Sequence, residues 1–240
     1  MAGCVIPGDN RWRDVRMSST NSTFVHYTAF RRKRRAHSLA GRLNSIRGEW
    51  EDILSEAQPE VQVRGIYSTV GFRADSDLML WTISESPDAL QRVVVRLQKS
   101  ELGRDLTLSW AFMGVHRPAE FAPDHIPAFL RGVPPAKYIS VYPFVRSPEW
   151  YLLSPPERGR MLKEHGALGK PFDDVLTNTT QAFGLTDYEW LLAFESDRLD
   201  RIVDMVRALR PAEARRYTKV EIPFIVGIRK ELGDVLADLV

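Results

Sequence analysis

VQVRGIYSTVGFRADSDLMLWTISE, residues 61–85, consists of two apolar runs split by the polar stretch RADSD. The first run (61–71) alternates like a half-buried strand, and the second (77–85) is rich in strand formers. RADSD between them reads as a reversal, so the stretch predicts a hairpin. Its flanks decide the fold. Upstream, AGRLNSIRGEWEDILSEA (40–57) spaces Leu43, Ile46, Trp50, Ile53 and Leu54 along one helical face. Downstream, PDALQRVVVRLQKSE (87–101) opens on a first-turn proline and turns Leu90, Val93, Val94 and Leu97 inward. FVHYTAF (24–30) and LTLSWAFMGV (106–115) read as strands on either side. The order is β-α-β-β-α-β, the ferredoxin-like split unit.

The second half repeats this outline without repeating the sequence. KYISVYPFV reads as a strand, and SPPERGRMLKEHGALG (154–169) as a helix with Ser154 at its N-cap and proline just inside. DYEWLLAFES (187–196) is a strand, SDRLDRIVDMVRALR (196–210) a helix, and VEIPFIVGI (220–228) a closing strand. The expected division is an N-terminal extension at 1–20, a first unit at 21–116, a connector at 117–136 and a second unit at 137–240. The connector region 116–135 carries five prolines, so no regular element survives in it for long. Its apolar residues Phe121, Ile126, Phe129 and Leu130 predict that it packs down onto the domain. The fold class is α+β, with two such units able to curl into one barrel.

Composition excludes more than it selects. Formal net charge is +2, so no global field points to nucleic acid. A single cysteine, Cys4, excludes an internal disulfide framework. No apolar run reaches the roughly 18–20 residues needed to span a bilayer, and no secretory h-region opens the chain. The expectation is a cytoplasmic protein with no membrane and no nucleic-acid partner. RRKRR at 31–35 stands out locally, but no zinc-finger, helix-turn-helix or RNP pattern accompanies it, and a solvated loop is the simpler reading.

No HExxH, GxSxG, Walker or GxGxxG pattern occurs, and the five histidines have no zinc-site spacing. Any site must therefore assemble from scattered residues. His165, near the end of its predicted helix, suits either a helix-end hydrogen bond or a single axial ligand to haem iron. His125 in the proline-rich connector is either an exposed loop residue or a general base. Tyr142 closes an apolar strand just before Pro143, a natural rim for a pocket. Arg146, four residues on, carries a fork suited to a carboxylate.

Taken in order, HRPAEFAPDHIPAFL, YISVYPFVRSPEWYLL, RMLKEHGALG, NTTQAFGLTDYEWLLAFES, RIVDMVRALRPAEARRYT and EIPFIVG resemble the chlorite dismutase-like superfamily. The resemblance is to its actinobacterial coproheme decarboxylase branch. It runs from about residue 60 to about residue 228 and is densest between 116 and 217. It implies two fused ferredoxin-like units forming one barrel per subunit, assembled as a homopentamer. It also implies a reaction: peroxide-driven decarboxylation of two propionates of iron coproporphyrin III to vinyls, giving haem b. The porphyrin (coproheme) is then substrate and redox cofactor together, and transient contact with coproporphyrin ferrochelatase is implied.

Carried over by motif, His165 in EHG corresponds to the iron ligand and Tyr142 to the radical-bearing tyrosine. His125 corresponds to the distal base that deprotonates peroxide. Arg146 corresponds to a propionate contact, Arg215 in EARRYT to a second, and Trp150 to an oxidisable tryptophan beside the site. Pro148 departs from the pattern, which has an aromatic residue there. Two rivals remain: a non-catalytic haem carrier or sensor on the same barrel, and chlorite dismutation or peroxidase activity. Dismutation is associated with a distal arginine, and Met161 to Asp197 contains none; Thr177 stands at the aligned position.

Overall fold

The computed structural model describes residues 22–34, 38–39, 41–121 and 126–240. The extension at 1–20, Arg35 and His125 lie outside the described residues. The first half runs β1 (Phe24–Arg32), α1 (Leu43–Glu56), β2 (Val61–Arg73), β3 (Ser76–Ser84), α2 (Pro87–Lys99) and β4 (Leu106–Val115). The second begins β5 (Tyr138–Arg146), α3 (Pro148–Leu152), α4 (Pro155–Gly169), β6 (Leu176–Gln181) and β7 (Trp190–Ser196). It ends α5 (Leu199–Ala208), β8 (Thr218–Val220), β9 (Ile225–Arg229) and α6 (Leu232–Ala237). None of the helices is long and apolar enough to cross a membrane among the described residues.

Strand order is β7-β6-β4-β1-β3-β2-β9-β5-β8, and a further β7–β5 pairing closes eight of the strands into a ring. Each half contributes a ferredoxin-like set, β4-β1-β3-β2 and β6-β7-β5-β9. The seams are short: Val115 opposite Gln181 on one side, Tyr67 and Ser68 opposite Arg229 and Ile228 on the other. The expected hairpin forms with Arg73 opposite Ser76.

Closure explains why the central strands read as continuous apolar runs. Along β3, Met79, Trp81 and Ile83 point into the ring, where they meet Tyr27, Phe112, Ile139, Val141, Leu191 and Ile225. Leu78 and Leu80 point outward under α1 and α2, against Ile46, Trp50, Leu90 and Leu97. Both faces are therefore dry, as in other fully covered sheets. The half-buried reading of β2 is revised on the same ground: Arg64 and the run from Gly65 to Thr69 are buried, and only the end of the strand beyond Thr69 is exposed.

Local signals mostly act as read. Pro87 opens α2, where Ser86, not singled out in the sequence, caps the helix by accepting from the Ala89 amide at 3.2 Å. The Glu157 carboxylate accepts from both the Ser154 amide and hydroxyl, at 3.1 and 2.6 Å. Pro148 opens α3 at its first turn, where a missing N–H costs nothing. In the basic run, Arg32 bonds the Leu239 carbonyl and Lys33 the Arg104 carbonyl, so part of it ties down the end of β1. Two expectations are revised. The single closing strand splits into β8 and β9, because Pro223 interrupts the ladder between them. Ile126 does not pack down but is 47% exposed, whereas Phe129 is buried.

Candidate active site

The alternation of β5 builds the site. Ile139 and Val141 face the ring interior, which sends Tyr142, Phe144 and Arg146 to the outer face. There α4 brings His165, α5 brings Val206 and Leu209, and the segment from Arg210 to Glu221 closes the remaining side. These residues line one cleft. Pro143 sits where pairing along one edge of β5 passes from β9, ending at Val141, to β8, beginning at Val145. The strand can thus end beside a cleft without a broken ladder.

Tyr142 is 6% exposed. Its ring stacks on Phe224 at 4.5 Å and meets Phe194 edge-on at 5.6 Å. Burial raises the phenol pKa, and the nearby Glu221 carboxylate raises it further against Arg210 and Arg215. At neutral pH the phenol keeps its proton. His165 is pushed the other way: burial lowers its pKa, with Arg146 adding to the effect. A neutral imidazole is the form that ligates a metal.

Arg146 is the most constrained of the cleft cations. Its Nη1 donates to the Ala214 carbonyl at 2.7 Å, and its backbone amide donates to Glu189 at 2.8 Å. The guanidinium lies 4.2 Å from the Trp150 ring centroid and 4.6 Å from that of Phe144. Burial depresses its pKa to about 10, which still leaves it charged at neutrality. Trp150 itself is buried against Met161 and Ala214 and tilts against Tyr217 at 5.7 Å. It backs Arg146 rather than lining the cleft.

Arg215 does line it, paired through Nη1 with Glu221 Oε2 at 2.5 Å. Of the residues singled out from sequence, Tyr142, Arg146, His165 and Arg215 come together, and Trp150 stands one layer behind. Sequence reasoning missed Arg210 and Glu221. The available signal was an acid, Glu221, at the start of an otherwise apolar strand pattern. No group of three or more His, Cys, Asp or Glu able to hold a metal occurs among the described residues. A single histidine facing a cleft of arginines and aromatics fits an anionic iron porphyrin, which brings four of its own ligands.

A closed eight-stranded α+β barrel, with one histidine and several arginines around an outer cleft, defines a class of protein. The chain belongs to the chlorite dismutase family, whose sequence profile matches residues 44–230. Within that family it is similar to the coproheme decarboxylase of Mycolicibacterium smegmatis, 50% identical over 180 residues, covering 75% of this chain and 78% of that one. The coproheme decarboxylase of Thermus thermophilus is 28% identical over 198 residues, 77% of each chain. Among solved structures, a chlorite dismutase of Candidatus Nitrospira defluvii in complex with imidazole superposes with a TM-score of 0.81 at 20% identity. That match covers 90% of this chain and 94% of the other. A putative chlorite dismutase gives 0.80 at 23% identity over 92% of this chain and all of the other. At such identities the likeness speaks for the fold alone.

Proposed function

We propose that this protein decarboxylates iron coproporphyrin III oxidatively, turning two propionates into vinyls with hydrogen peroxide and producing haem b. One observation carries the reading: Tyr142, Arg146 and His165 line a single cleft in a chain 50% identical to a coproheme decarboxylase. In each conversion a propionate loses carbon dioxide, one proton and two electrons. Peroxide takes up the electrons with two protons and leaves as two waters. The bound iron porphyrin supplies the redox chemistry and is at once substrate and cofactor.

The chain supplies binding, orientation and a relay. His165 would hold the iron, presented from a helix as a neutral imidazole. Tyr142, protonated and fixed between Phe194 and Phe224, can give up its hydrogen as a proton and an electron without wandering. Arg146 and Arg215 offer forks to propionates. Trp150 holds the Arg146 guanidinium in position by stacking. His125 is assigned the distal base from the sequence resemblance. Chlorite dismutation is disfavoured because no arginine lies between Met161 and Asp197 to serve the distal side. A five-membered ring, cytoplasmic residence and transient contact with ferrochelatase belong to the same proposal, and light scattering tests the ring.

The deciding experiment adds iron coproporphyrin III and peroxide and follows the porphyrin by mass spectrometry. Loss of two carboxyl groups is expected. Tight binding without mass loss would leave a haem carrier in place of an enzyme.

A further inference from the structure

Glu221 follows directly on β8 at the back of the cleft, and its Oε2 lies between two guanidiniums. Arg210 Nη1 is 2.6 Å away and Arg215 Nη1 is 2.5 Å away. The carboxylate side chain is 17% exposed, against 42% for Arg210 and 38% for Arg215. The acid is thus the less exposed member, and both arginine side chains are partly exposed, although Arg215 Nη1 itself is buried against the carboxylate. Both arginines line the cleft with Tyr142 and His165. The same two also line an adjoining outer hollow of about 460 Å³, together with Arg216.

This arrangement sets a competition. The cleft is lined by Arg146, Arg210 and Arg215 against the single carboxylate of Glu221. A carboxylate arriving at this corner meets two guanidiniums already engaged by one, Arg210 through a hydrogen bond and Arg215 through its charge. To bind, it must displace Glu221 or share the guanidiniums with it, and the two anions then repel at close range. The penalty grows with the number of carboxylates on the incoming molecule, so it acts more on a tetra-acid porphyrin than on a di-acid one.

Resting on the reading above, we propose that Glu221 is a built-in competitor for porphyrin carboxylates. It occupies Arg210 and Arg215 in place of a propionate, which makes Arg210 a further carboxylate-binding residue. One tyrosine lines the cleft and two propionates must reach it in turn, so a weakened clamp lets the porphyrin reposition between the two steps and lets haem b leave. Full-strength arginine forks would hold the first propionate they met.

Equilibrium titration with iron coproporphyrin III and with haem b, read from the Soret band, tests this without turnover. Glu221→Gln keeps the shape and removes the charge. It should tighten coproheme by about fivefold, the scale of a partly exposed ion pair. Haem b should tighten less, and its transfer to an apomyoglobin acceptor should slow. Arg210→Gln should weaken coproheme more than haem b. A correctly folded Glu221→Gln chain that binds coproheme no better, or worse, overturns the proposal and makes Glu221 a scaffold for the arginines. Unchanged coproheme affinity in Arg210→Gln overturns it independently, even where the glutamate variant fails to fold. A wild-type chain that binds neither porphyrin overturns this inference together with the functional reading. Binding of both porphyrins with no gain in Glu221→Gln removes the competitor alone.

Discussion

The outer faces of the two halves share one strand order and are filled in opposite ways. Over β1 and β3, helices α1, α2 and α6 lay down a continuous apolar layer from Ile46 and Trp50 through Leu90 and Leu97 to Val235. Over β5 and β7 the apolar contact shrinks to Tyr142, Val175, Phe194, Ile202 and Met205. Helix α2 buries five residues on the first face, whereas α4 buries only Met161 on the second. A helix without an apolar stripe cannot seal a sheet, so the second face stays open as a cleft with Tyr142, Arg146 and His165 on its walls. One topology used twice thus gives a sealed half and an open half.

The contrast can be broken at the working face first. Tyr142→Phe should leave the fold and coproheme binding intact and reduce haem b formation to background, read by mass spectrometry of the porphyrin. Phenylalanine keeps the ring against Phe194 and Phe224 and removes only the hydroxyl, so the loss would be chemical. Near-normal turnover would pass the relay to another residue, Trp150 being the nearest oxidisable ring behind Arg146.

The link between the halves across the ring interior comes next. Arg64 from β2 donates through Nε and Nη2 to Glu195 Oε2 on β7 at 3.0 and 2.6 Å, and Asn178 Nδ2 donates to the same oxygen at 3.0 Å. Arg64 also reaches the Val133 carbonyl, and Asn178 accepts from the Phe129 amide, so this network pins the connector. Both charges are fully buried. Removing one partner strands the other, which costs about 3–5 kcal/mol. Glu195→Ala should therefore lower the denaturation midpoint steeply, and a loss under about 1 kcal/mol would mean that water reaches the pair. The cleft pairs around Glu221 use the same ions in a wetter setting and can exchange partners.

At the sealed face, Leu90→Ala should destabilise by about 2–5 kcal/mol through the cavity it leaves, with no direct effect on porphyrin binding. Weakened coproheme affinity in this variant at a temperature where it stays folded would show that the two faces are not independent.

How much of this was readable in the chain follows the same division. The sealed half was legible because its signals are local: period 3.6 in α1 and α2, strand formers in β1 to β4, and the proline in the first turn of α2. The cleft was not legible from pattern, since Tyr142, His165 and Glu221 are brought together by β5–β7 pairing and by the path after α5. Motif resemblance supplied Tyr142, Arg146 and His165. It did not supply Arg210 or Glu221, whose meaning lies in a 2.6 Å contact between the end of a helix and the foot of a strand. The burial of Arg64 was not legible for a related reason: its partner Glu195 lies on a strand of the other half and meets it only once the ring closes.

The effect confined to the narrowest range of conditions lies again in the sealed half. His26 on β1 is 8% exposed, its Nδ1 has no hydrogen-bond partner among the described residues, and burial lowers its pKa to about 4. Free histidine titrates near 6.5. The folded state therefore holds the neutral ring, while below pH about 6.5 the unfolded chain takes up a proton that the folded one refuses. Stability is whole above that pH and falls as pH drops toward 4, by about 3 kcal/mol across the window. His26→Leu should flatten this part of the pH profile while leaving the steeper carboxylate-driven loss at lower pH in place. An unchanged slope between pH 6.5 and 4 would mean that His26 charges freely and that the first half is less sealed than its packing implies.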